Sequence, residues 1–103
     1  MPANPNVTAH AGEQLRRLRE RLDLSLRDVE IAASRLAEKY QNPEFEMPAS
    51  RLSDIESKGM LPNIYRLYTL AAVYRKDIRE MLQFFGIAAS NFFEDAAHDL
   101  FWI

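Results

Sequence analysis

The chain has 103 residues, no cysteine, 48% apolar residues and a net charge of −2. This length suits one compact domain, and without disulfides or thiolate metal ligands a hydrophobic core has to hold it together. No apolar run approaches the roughly 20 residues of a membrane span, and the first residues lack the basic start and apolar centre of a signal peptide. We therefore expect a cytoplasmic protein with one domain.

The composition also bears on partners and chemistry. Domains that bind nucleic acid are often basic, so any electropositive surface must arise here from how the charges are sorted. The sequence has no glycine-rich phosphate loop and no recognisable Ser/His/Asp set. His10 and His98 lack metal-ligand spacing with Asp or Glu. We expect no enzyme activity, no metal and no other cofactor.

Apolar periodicity predicts an all-α chain. Residues 1–8 hold two Pro and two Asn, which predicts a flexible leader. Leu15, Leu18 and Leu22 then recur at helical spacing among arginines. This pattern predicts an amphipathic first helix over about Ala9–Leu22.

The second helix has a clear start and stop. Ser25 is a good N-cap, and Asp28 follows at the position of a capping box, so the helix should begin at Leu26. Its apolar positions keep a helical period for about fifteen residues, until Asn42-Pro43 must end it.

Pro48 suits the first turn of a third helix, because its missing N–H needs no partner there. We predict this helix over about Pro48–Ser57, with Leu52 and Ile55 facing the core and Gly59 closing it.

Two further helices follow. Pro62-Asn63 predicts the start of the fourth, whose core face would comprise Ile64, Leu67, Ala71 and Tyr74. Asp77 with Glu80 predicts a capping box for the fifth, which carries Ile78, Met81, Leu82 and Phe85 and ends at Gly86. The domain would thus cover residues 9–86.

The segment 87–103 repeats apolar pairs four residues apart, at Phe92/Phe93, Ala96/Ala97 and Leu100/Phe101. Such spacing predicts a C-terminal amphipathic helix. We expect it to serve either in dimerisation or as the beginning of a longer chain.

Two segments carry a pattern typical of DNA-binding proteins. In Gly12–Val29 a leucine- and arginine-rich helix precedes Leu-Ser, and in Arg51–Pro62 a helix ends in Ile-Glu before Lys-Gly. Together they resemble the two halves of a helix-turn-helix domain of the lambda-repressor/Cro-like (XRE) family. The resemblance covers about residues 12–86 and implies a five-helix lambda-repressor-like fold. The main departure is an excess of roughly a dozen residues over Ser34–Glu46, which we interpret as an elongated second helix plus a loop.

The resemblance implies that the third helix enters the major groove of DNA. Family positions that touch base edges fall on Ala49, Ser50 and Asp54. Ser can bond to several base edges, Ala can contact a thymine methyl, and Asp can only accept, so cytosine N4 is its target. The plainer interpretation is that these side chains cover a solvated helix face.

Contacts to the DNA backbone are expected from Arg51, from Arg27 at the start of the second helix, and from Lys58 after the third. The alternative for Lys58 is a cation that satisfies the helix C-terminus. Arg35 and Lys39, in the extra residues, would add contacts to the flanking backbone.

The resemblance further implies a buried ion pair between Arg19 and Glu56, which fastens the third helix to the scaffold and does not touch DNA. Tyr65, Tyr68 and Tyr74 could be mistaken for a base-stacking platform, but their helical spacing favours packing.

Two functions stay open. The first is a sequence-specific regulator of transcription that binds double-stranded DNA as a homodimer, so that two third helices meet two half-sites about one helical turn apart. The second is a protein-interaction or antitoxin-like module that keeps the scaffold without strong DNA binding, as the net negative charge would suit.

Overall fold

The computed structural model describes residues 5–88 and 92–97. Its helices are α1 (Pro5–Arg21), α2 (Leu26–Tyr40), α3 (Ala49–Lys58), α4 (Ile64–Tyr74), α5 (Ile78–Phe84) and α6 (Phe92–Ala97), with one 3₁₀ turn at Pro43–Phe45. The described ranges contain no β-strand, which confirms the all-α prediction. Within them, every helix is too short or too polar to traverse a bilayer.

The core is formed by buried side chains of α1, α2, α3, α4 and α5, together with Met47 before α3. α1 packs on α3 and α5, α2 packs on α3 and α4, and α4 packs on α5. A Cβ atom at Gly12 would overlap the carbonyl oxygen of Ile55 and lie 2.8 Å from that of Glu56. Glycine therefore permits the close crossing of α1 over α3. The largest fully buried side chains are Leu15, Val29, Met47, Leu52, Ile55, Thr69, Leu70 and Met81.

α1 begins at Pro5, so the prediction of a leader over 1–8 and a helix start at Ala9 is wrong for residues 5–8. The reason is tertiary packing. Thr8 is buried, and a Cβ on Gly59 would lie 2.9 Å from the nitrogen of Ala9. The N-terminal part of α1 therefore packs closely against the residues that follow α3, at Thr8 and Ala9. The composition of residues 1–8 does not predict this contact. Residues 1–4 lie outside the described ranges.

α2 begins and ends as predicted. The Asp28 N–H donates to Ser25 Oγ at 3.0 Å, and the Ser25 N–H donates to Asp28 Oδ2 at 2.8 Å. The latter bond is the main reason why the pKa of Asp28 lies below its ordinary value. Gln41 closes α2 in the left-handed conformation, at φ 50°.

The segment between α2 and α3 is a loop, as predicted, with one 3₁₀ turn, and it is docked on α4. The Phe45 ring lies 5.2 Å from the ring of Tyr40, 5.2 Å from that of Tyr65 and 5.8 Å from that of Tyr68, measured between centroids. The Thr69 hydroxyl donates to the Phe45 carbonyl oxygen at 2.7 Å. This segment therefore forms a fixed part of the domain.

α4 and α5 occupy the predicted positions with two differences in detail. Ile64 is 75% exposed, because the buried face of α4 lies one turn further on, over Thr69, Leu70, Ala71 and Tyr74. Asp77 caps α5 by accepting from the Arg79 N–H. Glu80 does not complete a capping box, since its carboxylate pairs with Lys76.

Only the middle of the predicted C-terminal helix is described, as α6. Phe92 and Phe93 are 63% and 82% exposed. The apolar pair Leu100/Phe101 lies outside the described residues, as does His98.

The buried hydroxyl of Tyr74 provides a test of the core. This side chain is 2% exposed, and its oxygen has no hydrogen-bond partner among the described residues. Burial raises the pKa of Tyr74 far above its usual range. Because an unsatisfied buried hydroxyl is destabilising, we expect Tyr74→Phe to increase the free energy of unfolding by about 1 kcal/mol. The melting temperature followed by circular dichroism would then rise by roughly 4–8 °C.

The matched control for this variant is Tyr65→Phe, in the half-buried aromatic cluster, which should change the free energy of unfolding by less than about 0.5 kcal/mol. A lower melting temperature for Tyr74→Phe would contradict the prediction, because it would mean that the hydroxyl makes a stabilising hydrogen bond.

Candidate nucleic-acid interface

A buried ion pair fixes α3 on the rest of the domain. Arg19 Nε donates to Glu56 Oε2 at 2.7 Å, and Arg19 Nη2 donates to Glu56 Oε1 at 2.9 Å. The remaining nitrogen, Nη1, donates to the carbonyl oxygen of Leu24 at 2.8 Å. The Arg19 side chain is 11% exposed and that of Glu56 is 5% exposed. One guanidinium thus joins α1, the turn after it and α3.

The ion pair also changes the pKa of Arg19. The hydrogen bonds that Arg19 donates to Glu56 raise the pKa of Arg19 above its ordinary value, although burial opposes this. A raised arginine pKa contributes stability that is fully present below the unfolded value and is lost only as the pH rises through the still higher folded value, far above neutrality. On the arginine side, the pair is therefore insensitive to pH through the neutral range.

α3 presents one face to the core and the other to solvent. Leu52 and Ile55 are fully buried, while Ser50 and Arg51 on the opposite side are exposed. Ala49 is half-buried at the first turn. Of the three predicted base contacts, Ser50 is therefore the most accessible, and the docked segment before α3 does not cover it.

Two of the predicted DNA contacts are paired with each other. Lys58 Nζ lies 3.3 Å from Asp54 Oδ1, one helical turn away. The Asp54 side chain is 33% exposed and that of Lys58 is 70% exposed. The lysine therefore compensates the charge of the predicted base reader.

Glu30 on α2 is a site residue that the sequence did not reveal. Pro48, at the N-cap of α3, provides no side-chain cap. Glu30 supplies it instead: Oε2 accepts from the Ala49 N–H at 3.0 Å, and Oε1 lies 3.4 Å from Arg27 Nη1. The sequence predicted Pro48 in the first turn of the helix, whereas it occupies the N-cap, and no local signal indicates that a residue on another helix provides the cap.

The contact to Glu30 places Arg27 beside the beginning of α3. The Arg27 side chain is 77% exposed, so its guanidinium faces solvent while it touches the carboxylate. Arg51 is also exposed, and its Nη1 lies 3.9 Å from the sulfur of Met60. We call the surface formed by Arg27, Ser50, Arg51, Asp54 and Lys58 the α2–α3 surface.

Two grooves lie near the ends of α2 and α3. The first, of about 450 Å³, lies between α2 and the residues before α3 and is lined by Arg27, Glu30, Ile31, Ser34, Arg35, Glu38, Glu46, Met47 and Pro48. The second, of about 260 Å³, is lined by Arg16, Arg19, Leu26, Ser53, Glu56 and Ser57. Arg35 lies along the first groove, whereas the amino group of Lys39 lies 5.4 Å from the ring centroid of Tyr40. Of these two predicted flanking contacts, only Arg35 lines the groove that also holds Arg27.

Comparisons with known proteins found no relative. No protein-family model matches the sequence, and neither the curated proteins nor the solved structures contain a match. Any function assigned to the α2–α3 surface therefore rests on its residues and their geometry.

The ion pair provides the second test. We expect Glu56→Ala to lower the free energy of unfolding by about 3–5 kcal/mol, because it leaves the buried Arg19 charge without its partner. Thermal or urea unfolding measures this loss. The matched control is Glu44→Ala, which removes an exposed carboxylate and should change stability by less than about 0.5 kcal/mol.

The double variant Arg19→Met/Glu56→Leu distinguishes two causes of the lower stability, a buried charge without a partner and the loss of side-chain packing. Replacing both partners by apolar residues should recover most of the loss, since neither charge then stays buried alone. An unchanged melting temperature for Glu56→Ala would refute the structural role assigned to the pair.

Proposed function

We propose that this chain is a sequence-specific regulator of transcription that binds double-stranded DNA, with α3 in the major groove. It would act as a homodimer in the cytoplasm, without catalysis and without a cofactor. The observation that carries the proposal is the contact of Glu30 with both Arg27 and the first N–H of α3. It brings an exposed cation next to the exposed face of a helix that the Arg19–Glu56 pair holds rigidly.

The residues predicted to contact DNA divide into two roles under this proposal. Arg27, Arg51 and Lys58 would bind phosphate oxygens and set the orientation of the domain, because phosphate contacts carry no sequence information directly. Sequence would be read by Ala49, Ser50 and Asp54 at base edges.

The charge distribution supports a modest electrostatic contribution to binding. Arg51 makes no ion pair with any residue in the described ranges, whereas Arg27 and Lys58 each face a carboxylate. With a net charge of −2, the whole molecule offers little long-range attraction to DNA. We therefore expect weak binding to random duplex and a dominant role for close contacts.

Pairing of two copies is part of the proposal, because a single reading helix touches too few base pairs for high affinity. Apolar side chains outside the core are the candidates for this contact. Among the residues that the structure describes, the large apolar side chains that are more than half exposed are Leu61, Ile64, Ile87, Phe92 and Phe93.

A second candidate function is a protein-interaction module, and one observation favours it. Phe45, Ile64, Tyr65 and Tyr68 line an apolar depression of about 270 Å³, and Ile64 and Tyr68 are exposed. A module of this kind, antitoxin-like or otherwise, would use that patch and would have no measurable affinity for duplex DNA.

A salt titration distinguishes the two functions. Binding to random duplex, followed by fluorescence anisotropy between 50 and 200 mM salt, should weaken steeply as salt increases, because phosphate contacts release counterions. Arg27→Ala and Arg51→Ala should each weaken binding to all sequences and reduce the logarithmic salt slope by about 1. The matched control is Arg79→Ala on α5, whose guanidinium pairs with Asp77 and which should leave the slope unchanged. A folded wild type that shows no duplex affinity even at low salt would reject DNA binding and favour the interaction module.

Selecting the sequences that the protein binds from a pool of random DNA duplexes tests the predicted base contacts. Ser50→Ala and Asp54→Ala should each alter the preference at one base position, at a cost of about 1–3 kcal/mol for the original base. Arg51→Ala serves as the comparison, since it should lower affinity without changing the preferred sequence. If Asp54→Ala tightens binding to every sequence equally, Asp54 only repels phosphate and reads no base.

A further inference from the structure

Glu30 adjoins the α2–α3 surface through its contacts with Arg27 and Ala49, yet it is an acid beside the cations that would meet phosphate. We propose that Glu30 is a specificity-determining residue, which suppresses binding to random duplex by engaging Arg27 and the start of α3 in the free protein. The inference rests on the proposed DNA-binding function, and it concerns the discrimination between correct and random sequences.

The geometry gives the two carboxylate oxygens different tasks. Oε2 accepts from the Ala49 N–H at 3.0 Å in a partly buried contact, which supplies the cap that Pro48 lacks. Oε1 lies 3.4 Å from Arg27 Nη1, at the exposed end of the pair. The bond to Ala49 holds the carboxylate in place, and the contact to Arg27 is the one that can be exchanged.

A phosphate competes with Glu30 for Arg27. An exposed ion pair contributes little by itself, so Arg27 can exchange its partner readily. The Glu30 carboxylate would remain on Ala49, however, and its negative charge would oppose a phosphate at the same place. Each phosphate contact near the beginning of α3 is therefore weaker than it would be beside a neutral residue.

The penalty acts on phosphate contacts, which random duplex and the correct site have in common. Only the correct site offsets part of it, because Glu30 also fixes the first turn of α3, where Ala49 and Ser50 would meet the bases. Binding to random duplex consists almost entirely of phosphate contacts, so it bears the penalty in full. Specificity is a ratio of two affinities, and weakening the competing complex more than the correct one increases it.

The test is Glu30→Gln, whose amide oxygen can still accept from the Ala49 N–H. We expect its affinity for random duplex at 100 mM salt to increase about five- to tenfold, with a logarithmic salt slope steeper by about 1. Affinity for the selected sequence should increase less, so the ratio of specific to random binding falls. In an Arg27→Ala background the gain should largely disappear, because the cation that the substitution releases is absent.

Glu38→Gln is the matched control. Glu38 lines the same groove two turns further along α2 and makes no ion pair within the described part of the chain. Both variants raise the net charge by the same amount, so equal gains in affinity would show that only the total charge matters and would overturn the inference. A Glu30→Gln variant with lower affinity and a lower melting temperature would also overturn it, since the carboxylate would then act only as a cap.

The two proposals fail in different ways. If wild type binds duplex and Glu30→Gln binds random duplex no better, the role of Glu30 is wrong while DNA binding stands. If the folded wild type and all variants bind no duplex, the proposed function is wrong and this inference falls with it.

Discussion

The position of α3 depends on the contact of one arginine with one glutamate. Gly12, Leu15 and Arg19 lie along one stripe of α1, and the absence of a side chain at Gly12 lets the α3 backbone come close. At that separation Arg19 reaches Glu56 with two hydrogen bonds and has a third donor for the Leu24 carbonyl. A buried ion pair adds little net stability over apolar packing, but it accepts only one geometry. The pair therefore determines the orientation of α3, and through it which side chains of α3 face solvent.

Charge compensation within the α2–α3 surface explains how a chain of net charge −2 can present cations without a strongly basic face. Arg27 is compensated by Glu30, and Lys58 is compensated by Asp54. Arg51 is the exception, with no carboxylate partner in the described ranges. Such a surface attracts a polyanion weakly at long range, and its cations become available only at contact distance. This arrangement suits a binder that depends on close fit and does not suit one that depends on general attraction.

The sequence predicted the elements whose ends are determined locally. Ser25, Asn63 and Asp77 cap their own helices, and Gly59 closes α3, so these boundaries could be located from residue type and spacing. The features that the sequence did not predict depend on contacts between residues far apart in the chain. The first turn of α1 is ordered by packing on the loop after α3, and the cap of α3 comes from Glu30, nineteen positions earlier. Composition and periodicity describe neighbours along the chain and carry no information on such pairs.

The segment between α2 and α3 connects these observations. Phe45 is held on α4 by aromatic contacts and by the Thr69 hydroxyl, and Met47 is fully buried. Because the chain is anchored up to Met47, Pro48 has a fixed place, and α3 must begin at Ala49 without a side-chain cap of its own. That requirement is met from α2, which also carries Arg35 along the groove that ends at Pro48. The segment therefore does not cover the face of α3: it fixes where α3 begins, and it makes the first N–H of α3 dependent on an acid from the neighbouring helix.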